Sequence, residues 1–462
     1  VGLSLWLGFF VPAGVAVYWI ASNLLSIVQQ LFLNRVYDPE KNIDYNELEK
    51  TKKELSELGN VGVAKRTPEE KRREKEDYRR FFRIENKHLV FYSEGSGFYK
   101  YFKGFIEYIL KNTNIIIHYI TSDYNDQIFG IASENPQIRT YYIGEKRLIT
   151  LMMKMDSDVV VMTMPHLDIY HIKRSYVRKD IEYIFVQHAI EQNNMVMKKG
   201  CTDNFDTILC AGPHQKEEEE LKGQRYGLRE RKLVECGYPL IDEMRREYRE
   251  NGEKDHDKTM VLIAPSWQKD NIIDLCLEEI LDSLKDRDFH VVVRPHPQEV
   301  RQKKEYILGL KKKYEETGIE FQTEFSSNET IMNADVLITD WSGISFEYAF
   351  TTFKPVLFIN TPMKVMNPDY AELDTVPLII RLRDRIGISI DTDRIDETGN
   401  ALSELISRKD EFRASIDSLA HEYLYNLDRS SEAGGRYIIE AVREKIMKKN
   451  NSQKPEKESQ PS

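Results

Sequence analysis

Short, continuous runs of Val, Ile, Leu and aromatic residues alternate along this chain with longer charged segments, and this alternation restricts the possible fold more than any other feature. The runs are HLVFYS (88–93), NIIIHYIT (114–121), DVVVMTM (158–164), IEYIFVQH (181–188) and DTILCAG (206–212), then TMVLIAPS (259–266), FHVVVRPHP (289–297), ADVLITDWSG (334–343) and KPVLFIN (354–360). Such runs are typical of strands buried on both faces, and strands that alternate with helices form parallel sheets. The pattern predicts two doubly wound α/β domains that divide near residues 236–242 and face each other across a cleft.

The composition is that of a globular protein. The chain has 462 residues, of which 41% are hydrophobic and 31% charged, and its net charge is −10. The negative charge argues against nucleic-acid binding, which needs a basic surface. Cys201, Cys210, Cys236 and Cys276 form no CxxC pair. They therefore predict neither a disulfide framework nor a zinc site, and they fit a reducing compartment.

The first 34 residues contain no ionised side chain. About 20 apolar residues suffice to span a bilayer, and a helix from about Phe9 to Phe32 would fit. A signal peptide would need a shorter apolar run behind a basic flank. Arg35 and several lysines follow the run, and no Lys or Arg precedes it. The positive-inside bias therefore predicts one transmembrane helix at residues 1–34 of a single-pass cell-membrane protein, with its body on the cytoplasmic face. Because the chain begins at Val1, we expect further sequence upstream.

The rest of the chain divides into a linker, two domains and a tail. Thr67, Pro68 and Glu70 form a capping-box start for a charged juxtamembrane linker helix. Its basic face could contact anionic lipid, or the helix could be a plain solvated linker. We assign residues 35–86 to the linker, 87–236 and 237–446 to the two α/β domains, and 447–462 to a disordered tail.

Polar or glycine-rich groups follow five of the predicted strands. They are Ser93 to Gly97, Gln187-His188, Ser266-Trp267, Arg294 to Pro297, and Asp340 to Gly343. Ligands of parallel sheets bind beyond the carboxyl ends of the strands, so these groups predict one site in the cleft.

Two of these segments suit an anionic ligand. Arg294 and His296 would be held rigidly by the flanking prolines, and the guanidinium offers a planar fork of donors. The alternative is a capped loop in which Arg294 pairs with a neighbouring carboxylate. After Asp340 and Ser342, either of which could cap the next helix, Gly343 would let a ligand approach the backbone. A helix N-terminus binds phosphate without a metal, although an ordinary N-cap would give the same pattern.

His188 ends a buried strand of the first domain. Histidine is the usual general base near neutral pH, but a strand-end histidine can also be structural. No metal site is predicted, because the acidic pairs Asp156/Asp158 and Asp286/Asp288 precede their strands and so lie at the opposite edge.

Several segments resemble one family. APSWQKDN (264–271), RPHP (294–297), DWSGISFEY (340–348) and GYPLID (237–242) resemble the APTWRD, R-x-H-P, DYSS-x-x-FD and GYPRND segments of the CDP-glycerol glycerophosphotransferase family, the teichoic-acid primases and polymerases. QHAIEQNNMVMKKG (187–200) stands where that family has WHGTPLKKLG. The resemblance covers roughly residues 88–360.

The resemblance implies a glycosyltransferase-B-like fold and a transfer that needs neither metal nor cofactor. By analogy, the N-terminal domain would be the acceptor side, with His188 as the base. The donor, CDP-glycerol or a related CDP-polyol, would lie in the C-terminal domain against Ser266, Trp267, Arg294, His296, Asp340, Ser342, Gly343 and Ser345. The acceptor would be a hydroxyl of a lipid-linked or polymeric molecule at the membrane.

The chain also departs from the family pattern. Ala189 replaces the glycine after the histidine, and the threonine-proline pair that follows is absent. Trp341, Gly343 and Glu347 replace the tyrosine, the second serine and the aspartate. These departures leave the choice between glycerol and ribitol phosphate open, as well as the acceptor.

The opening segment has a resemblance of its own. FVPAGVAVYWIASNLLSIVQQLFLNR (10–35) resembles the last transmembrane helix of YidC-type membrane insertases.

The two resemblances together leave three candidate functions. They are a membrane-tethered phosphotransferase, a nucleotide-sugar glycosyltransferase on the same fold, and a non-catalytic extension of an insertase fusion.

Overall fold

The computed structural model describes residues 13–36, 66–252, 257–323 and 328–452. The chain forms two compact units, Val1–Arg66 and Thr67–Ser462. In the first unit, helix α1 covers Ala13–Val36. Within the described ranges, no helix combines the length and the apolar character that crossing a membrane requires. The transmembrane helix expected for residues 1–34 is not confirmed, and its first 12 residues lie outside the described ranges.

The N-terminal half of the second unit is a parallel sheet of seven strands in the order β3-β2-β1-β4-β5-β6-β7. The strands are β1 (Leu89–Ser93), β2 (Ile117–Thr121), β3 (Ile138–Tyr142), β4 (Val159–Met162), β5 (Glu182–Val186), β6 (Thr207–Cys210) and β7 (Lys232–Glu235). The helices are α2 (Pro68–Arg83), α3 (Tyr99–Asn112), α4 (Ile128–Glu134), α5 (Glu145–Met153) and α6 (Pro213–Tyr226).

The C-terminal half is a parallel sheet of six strands in the order β10-β9-β8-β11-β12-β13. The strands are β8 (Thr259–Ile263), β9 (Phe289–Val293), β10 (Glu320–Phe321), β11 (Val336–Thr339), β12 (Val356–Asn360) and β13 (Gly387–Asp391). The helices are α7 (Pro239–Asn251), α8 (Ile272–Leu275), α9 (Leu277–Leu284), α10 (Pro297–Gln302), α11 (Lys304–Lys313), α12 (Glu329–Asn333), α13 (Ile344–Thr352), α14 (Leu378–Ile386), α15 (Thr398–Ser407), α16 (Lys409–Tyr423) and α17 (Ser430–Ser452).

Both sheets have the doubly wound topology that the sequence predicts. In each, the strand order reverses beside the first strand, between β1 and β4 and between β8 and β11. Strands β1, β2, β4 and β5 are buried along their whole length, which accounts for their continuous apolar runs. The two reversal points are where ligands of such sheets bind.

Helix α2 is part of the N-terminal half and not a solvated linker, so this expectation was wrong. The side chain of Thr67 accepts a hydrogen bond from the backbone of Glu70, which confirms the capping box. Phe81, however, is fully buried, and Asp77 accepts a hydrogen bond of 2.9 Å from the backbone nitrogen of Tyr142 at the end of β3. The folded unit therefore begins at Thr67 rather than at residue 87.

The last helix, α17, returns to the N-terminal half, so the boundary expected at residue 446 is also wrong. Its Ile438 and Val442 are buried in the same core as Phe105 of α3. A side chain at Gly434 would place its Cβ 2.3 Å from the Phe105 ring, so the close approach of the two helices depends on this glycine. The helix ends at Ser452, inside the tail predicted for 447–462, and residues 453–462 lie outside the described ranges.

Candidate active site

Loops after the strands of both sheets form the two sides of the cleft. From the C-terminal half, Ser266 follows β8, Arg294 follows β9 and Asp340 follows β11. From the N-terminal half, Glu94 follows β1 and His188 follows β5. These residues therefore lie at the carboxyl edges of the two sheets, as the sequence predicts.

Asp340 ties the two loops at the reversal point of the second sheet to each other. Its carboxylate is fully buried and accepts backbone hydrogen bonds from Ser266 at 2.7 Å and Ile272 at 3.3 Å. The hydroxyl of Thr361 adds a contact of 3.5 Å. The Asp340 carboxylate therefore fixes the loops that follow β8 and β12 through these hydrogen bonds. The described contacts of Asp340 are with the protein itself, whereas the sequence predicts a contact with the donor substrate.

This role of Asp340 gives a stability prediction. Asp340→Asn replaces one acceptor oxygen by an amide group, which leaves Ser266 or Ile272 with a buried N–H and no acceptor. We expect the free energy of unfolding in urea to fall by about 1–3 kcal/mol. Asp288→Asn is the control, because the Asp288 side chain is 82% exposed. Unchanged stability combined with lost nucleotide binding would instead indicate that Asp340 contacts the donor.

Arg294 and His296 supply the cation and a neutral hydrogen-bond donor on the C-terminal side of the cleft. Arg294 is 8% exposed, and burial lowers the pKa of its guanidinium against the negative charge of Glu347. Nδ1 of His296 accepts a 3.1 Å hydrogen bond from the backbone of Gln298. This bond sets the tautomer, so the Nε2–H of the neutral ring is the donor for a ligand.

The indole of Trp267 stacks on His296, with 6.1 Å between the ring centroids and 22° between the planes. Burial, together with the positive charges of Lys364 and Lys100, lowers the pKa of His296 to about 4. His296 is therefore neutral at pH 7 and acts there as a hydrogen-bond donor rather than as a cation.

Helix α13 begins without the side-chain cap that the sequence predicts. Gly343 is the N-cap and no side chain caps the helix. The backbone and the hydroxyl of Ser345 both donate to the carbonyl of Ser342, at 3.1 and 2.9 Å. Ser345 thus holds the first turn rather than facing the cleft, and it is fully buried. The hydroxyl of Ser266 is buried without a hydrogen-bond partner among the described residues.

His188 lies on the opposite side of the cleft and packs edge-on against the rings of Phe98 and Tyr101, whose centroids are 6.3 and 6.1 Å from that of its imidazole. Burial and the positive charge of Lys100 lower the pKa of its imidazole to about 4. Its Nδ1 has no hydrogen-bond partner within the described ranges. A neutral imidazole is in the protonation state that can accept a proton.

Glu94 is a second ionisable group on this side. Its carboxyl accepts a 3.2 Å hydrogen bond from the hydroxyl of Thr163, which follows β4. Burial raises its pKa to about 7, against the effect of this hydrogen bond. Glu94 and Thr163 flank the reversal point of the first sheet.

Three charged residues of the cleft were missed by the sequence analysis. Lys100 lies on α3 and Lys364 in the loop after β12, and their charges act on the ionisation of His296. Glu347, on α13, accepts a 3.5 Å hydrogen bond from the Tyr238 hydroxyl. None of the three comes directly after a strand. The rule that ligands bind beyond the carboxyl ends of the strands, here called the strand-end rule, therefore could not predict them.

The segment after β12 closes one end of the cleft. The backbone of Met366 donates to the carbonyl of Met195 at 2.9 Å, and the amide of Asn367 donates to the carbonyl of Asn194 at 2.7 Å. The backbone of Leu378 donates to the side chain of Gln192 at 2.7 Å. These bonds join the two halves beside the site.

Comparison with known proteins supports the family resemblance that the sequence motifs show, and it does so over residues 76–365. The family model described as CDP-Glycerol:Poly(glycerophosphate) glycerophosphotransferase matches residues 76–365. The teichoic acid glycerol-phosphate primase of Bacillus subtilis (strain 168) is 26% identical over 285 residues, which are 56% of this chain and 71% of the primase. The insertase resemblance of the opening segment lies outside the matched residues and stays a prediction.

Solved structures share the fold. A variant of the wall teichoic acid polymerase TagF is 15% identical to this chain, with a TM-score of 0.52. The match covers 88% of this chain and 100% of the TagF chain. MnaA of S. aureus, solved with UDP, is 12% identical, with a TM-score of 0.50 and coverage of 75% and 94%. At these identities the likeness concerns the fold alone, whereas the family match spans more than half of the chain. This chain belongs to the CDP-glycerol:poly(glycerophosphate) glycerophosphotransferase family and is a CDP-glycerol glycerophosphotransferase-like transferase.

Proposed function

We propose that this protein transfers glycerol phosphate, or a similar polyol phosphate, from a CDP-linked donor to a hydroxyl of a lipid-linked or polymeric acceptor and releases CMP. One observation carries the proposal: the carboxyl group of Glu191, in the loop that follows His188, lies against Gly343 at the start of α13, where a Cβ would be 2.5 Å from Oε2 of Glu191. A neutral base from one half and a phosphate-binding group from the other therefore face the same cleft. The structure of a TagF variant soaked with CDPG supports this donor class for a relative of the same fold.

In the proposed reaction, an acceptor hydroxyl attacks the β-phosphorus of the donor. Its oxygen forms the new P–O bond, the bond from the β-phosphorus to the bridging oxygen breaks, and CMP leaves in line. His188 takes the hydroxyl proton, because an alcohol is too weak an acid to be ionised at neutral pH. Arg294, the Nε2–H of His296 and the first turn of α13 stabilise the negative charge of the diphosphate.

A panel of donors tests this proposal. Purified protein is mixed with CDP-glycerol, CDP-ribitol and UDP-sugars, each with a polyol-phosphate oligomer or a lipid-linked primer as acceptor, and the released nucleotide is identified by chromatography. We expect CMP from a CDP-polyol. Release of UDP or UMP from a UDP-sugar would favour a glycosyltransferase, and absence of turnover by folded protein that binds nucleotide would favour a non-catalytic role.

We also propose that the protein works at a membrane, with its catalytic body on the cytoplasmic face where the CDP-linked donor is available. Helix α1 supports this, because its apolar side chains are exposed along much of its length, including Val17, Leu24, Leu25, Val28 and Phe32. Exposed apolar side chains on one helix are typical of a membrane-binding surface.

Sedimentation with liposomes tests membrane association. The full chain is mixed with vesicles that contain anionic phospholipid, and Leu24→Asp/Leu25→Asp is compared with the wild type and with a Lys448→Asp control on α17. We expect the wild type and the control to sediment with the vesicles and the leucine variant to remain in the supernatant. Equal sedimentation of all three would contradict a membrane role for α1.

A further inference from the structure

Glu191 reaches across the cleft to the start of helix α13. Its backbone is fixed from α6, because the side-chain amide of Gln215 donates to the carbonyls of Ala189, Ile190 and Glu191 at 3.0, 3.1 and 2.9 Å. Its side chain lies directly against Gly343: a Cβ at that position would be 2.5 Å from Oε2 and 2.7 Å from Oε1 of Glu191. The contact therefore joins the loop that follows His188 to the N-cap of α13.

The Glu191 carboxyl group faces the N-terminus of α13, and burial raises its pKa against the opposing effect of the positive charge of Lys364. Gly343 is the N-cap of a helix that no side chain caps, and backbone N–H groups at such a terminus favour a negative group. Lys364 adds a positive charge that acts on both Glu191 and Asp340. Oε2 of Glu191 is buried and accepts no hydrogen bond from the described residues.

Two departures from the family pattern meet in this contact. Glu191 stands where the family motif has the proline of its threonine-proline pair, and Gly343 stands where the family has a serine. The φ of Gly343 is −59°, a helical value that serine adopts without strain. What excludes a side chain at position 343 is the Glu191 carboxyl group. A proline at 191 would have no such group to place there.

We propose that, in the donor-free protein, the Glu191 carboxyl group occupies the position at the start of α13 that a phosphate group of the donor takes on binding. The donor diphosphate displaces the carboxyl group when it binds. This inference rests on the proposed function, because it takes the start of α13 as the diphosphate site. Glu191 would then compete with the donor for this position, and the competition would raise the apparent dissociation constant of the donor.

Calorimetric titration with CDP and with cytidine tests the proposal on the full chain. The proteins are the wild type, Glu191→Ala, and Glu440→Gln, whose side chain is exposed on α17. We expect Glu191→Ala to bind CDP about 2- to 30-fold more tightly than the wild type, with cytidine affinity unchanged because cytidine carries no phosphate. Glu440→Gln should match the wild type with both ligands.

Gly343→Ser provides a second route, since its side chain should push the carboxyl group aside without removing it. We expect it to tighten CDP binding as well, and the gain of the double variant to be smaller than the product of the single gains, because both changes remove one contact. If the wild type binds CDP and neither variant binds it more tightly, the inference about Glu191 is wrong while the proposed function stands. If no protein of the set binds CDP, the proposed function fails and the inference fails with it.

Discussion

His188→Gln is expected to slow CMP release from CDP-glycerol by about 10²- to 10⁴-fold, which is the usual contribution of a general base. Glutamine keeps the polar character of the side chain but cannot accept the proton of the attacking hydroxyl. The affinity for CDP should stay close to that of the wild type, because the proposed diphosphate contacts come from the other half of the cleft. The measurements are the initial rate of CMP release and the dissociation constant of CDP.

The same assignment predicts a pH profile. Burial and Lys100 lower the pKa of His188 to about 4, so the imidazole is neutral, and competent as a base, at every pH above that value. We expect no loss of rate from His188 between pH 7 and about pH 5, and a fall as the pH approaches 4.

His171→Gln is the matched control for these experiments, because this imidazole is exposed in the same half of the protein. It should retain the wild-type rate. A His188→Gln protein that also retains the wild-type rate would show that the base is another group, and Glu94, whose pKa is raised by burial to about 7, would then be the first to examine.

Arg294→Ala is expected to weaken CDP binding by about 2–5 kcal/mol, the range found when one partner of a buried charge pair is removed. Arg294 is 8% exposed, so its charge acts on a bound diphosphate with little screening by water. Lysine should restore only part of the affinity, because it cannot present two parallel N–H donors.

Arg301→Ala is the control, because Arg301 is exposed on the nearby helix α10. It should bind CDP like the wild type, and cytidine should bind all variants equally. Equal loss of CDP and cytidine affinity in Arg294→Ala would indicate a folding defect or a nucleoside contact, and would contradict a phosphate-binding role.

The sequence predicts the interior of both sheets but not their edges. Each of the nine central strands has a continuous apolar run, because each is covered on both faces. The four strands without a prediction, β3, β7, β10 and β13, are the edge strands. Their burial is interrupted: β7 has no buried residue, and β10 has one exposed and one buried residue. A half-exposed strand carries charged residues, so its sequence pattern resembles that of a loop.

The strand-end rule located the cleft but not every role within it. It predicts His188, Arg294 and His296 as site residues, because these residues directly follow central strands. It does not predict the backbone hydrogen bonds of Asp340, because a carboxylate that binds a ligand and one that accepts backbone N–H groups look alike in sequence. It missed Lys100 and Lys364, which lie on a helix and in a long loop and reach the site only through tertiary packing.

The misplacement of α2 and α17 has a related cause. Both helices are rich in charged residues along most of their surface, which favours a solvated assignment. Each nevertheless buries a narrow apolar stripe, represented by Phe81 in one and Ile438 and Val442 in the other. The partner of such a stripe is remote in the sequence, so its burial cannot be inferred from the helix alone.

A crystal structure of the His188→Gln protein soaked with CDP-glycerol tests the central claim most directly. We expect the diphosphate between Arg294, the Nε2 of His296 and the first turn of α13, with the β-phosphorus facing the side chain at position 188 and the Glu191 carboxyl group moved away from Gly343. A diphosphate bound elsewhere, for example against the N-terminal sheet beside Glu94, would contradict the assignment of the two halves of the cleft.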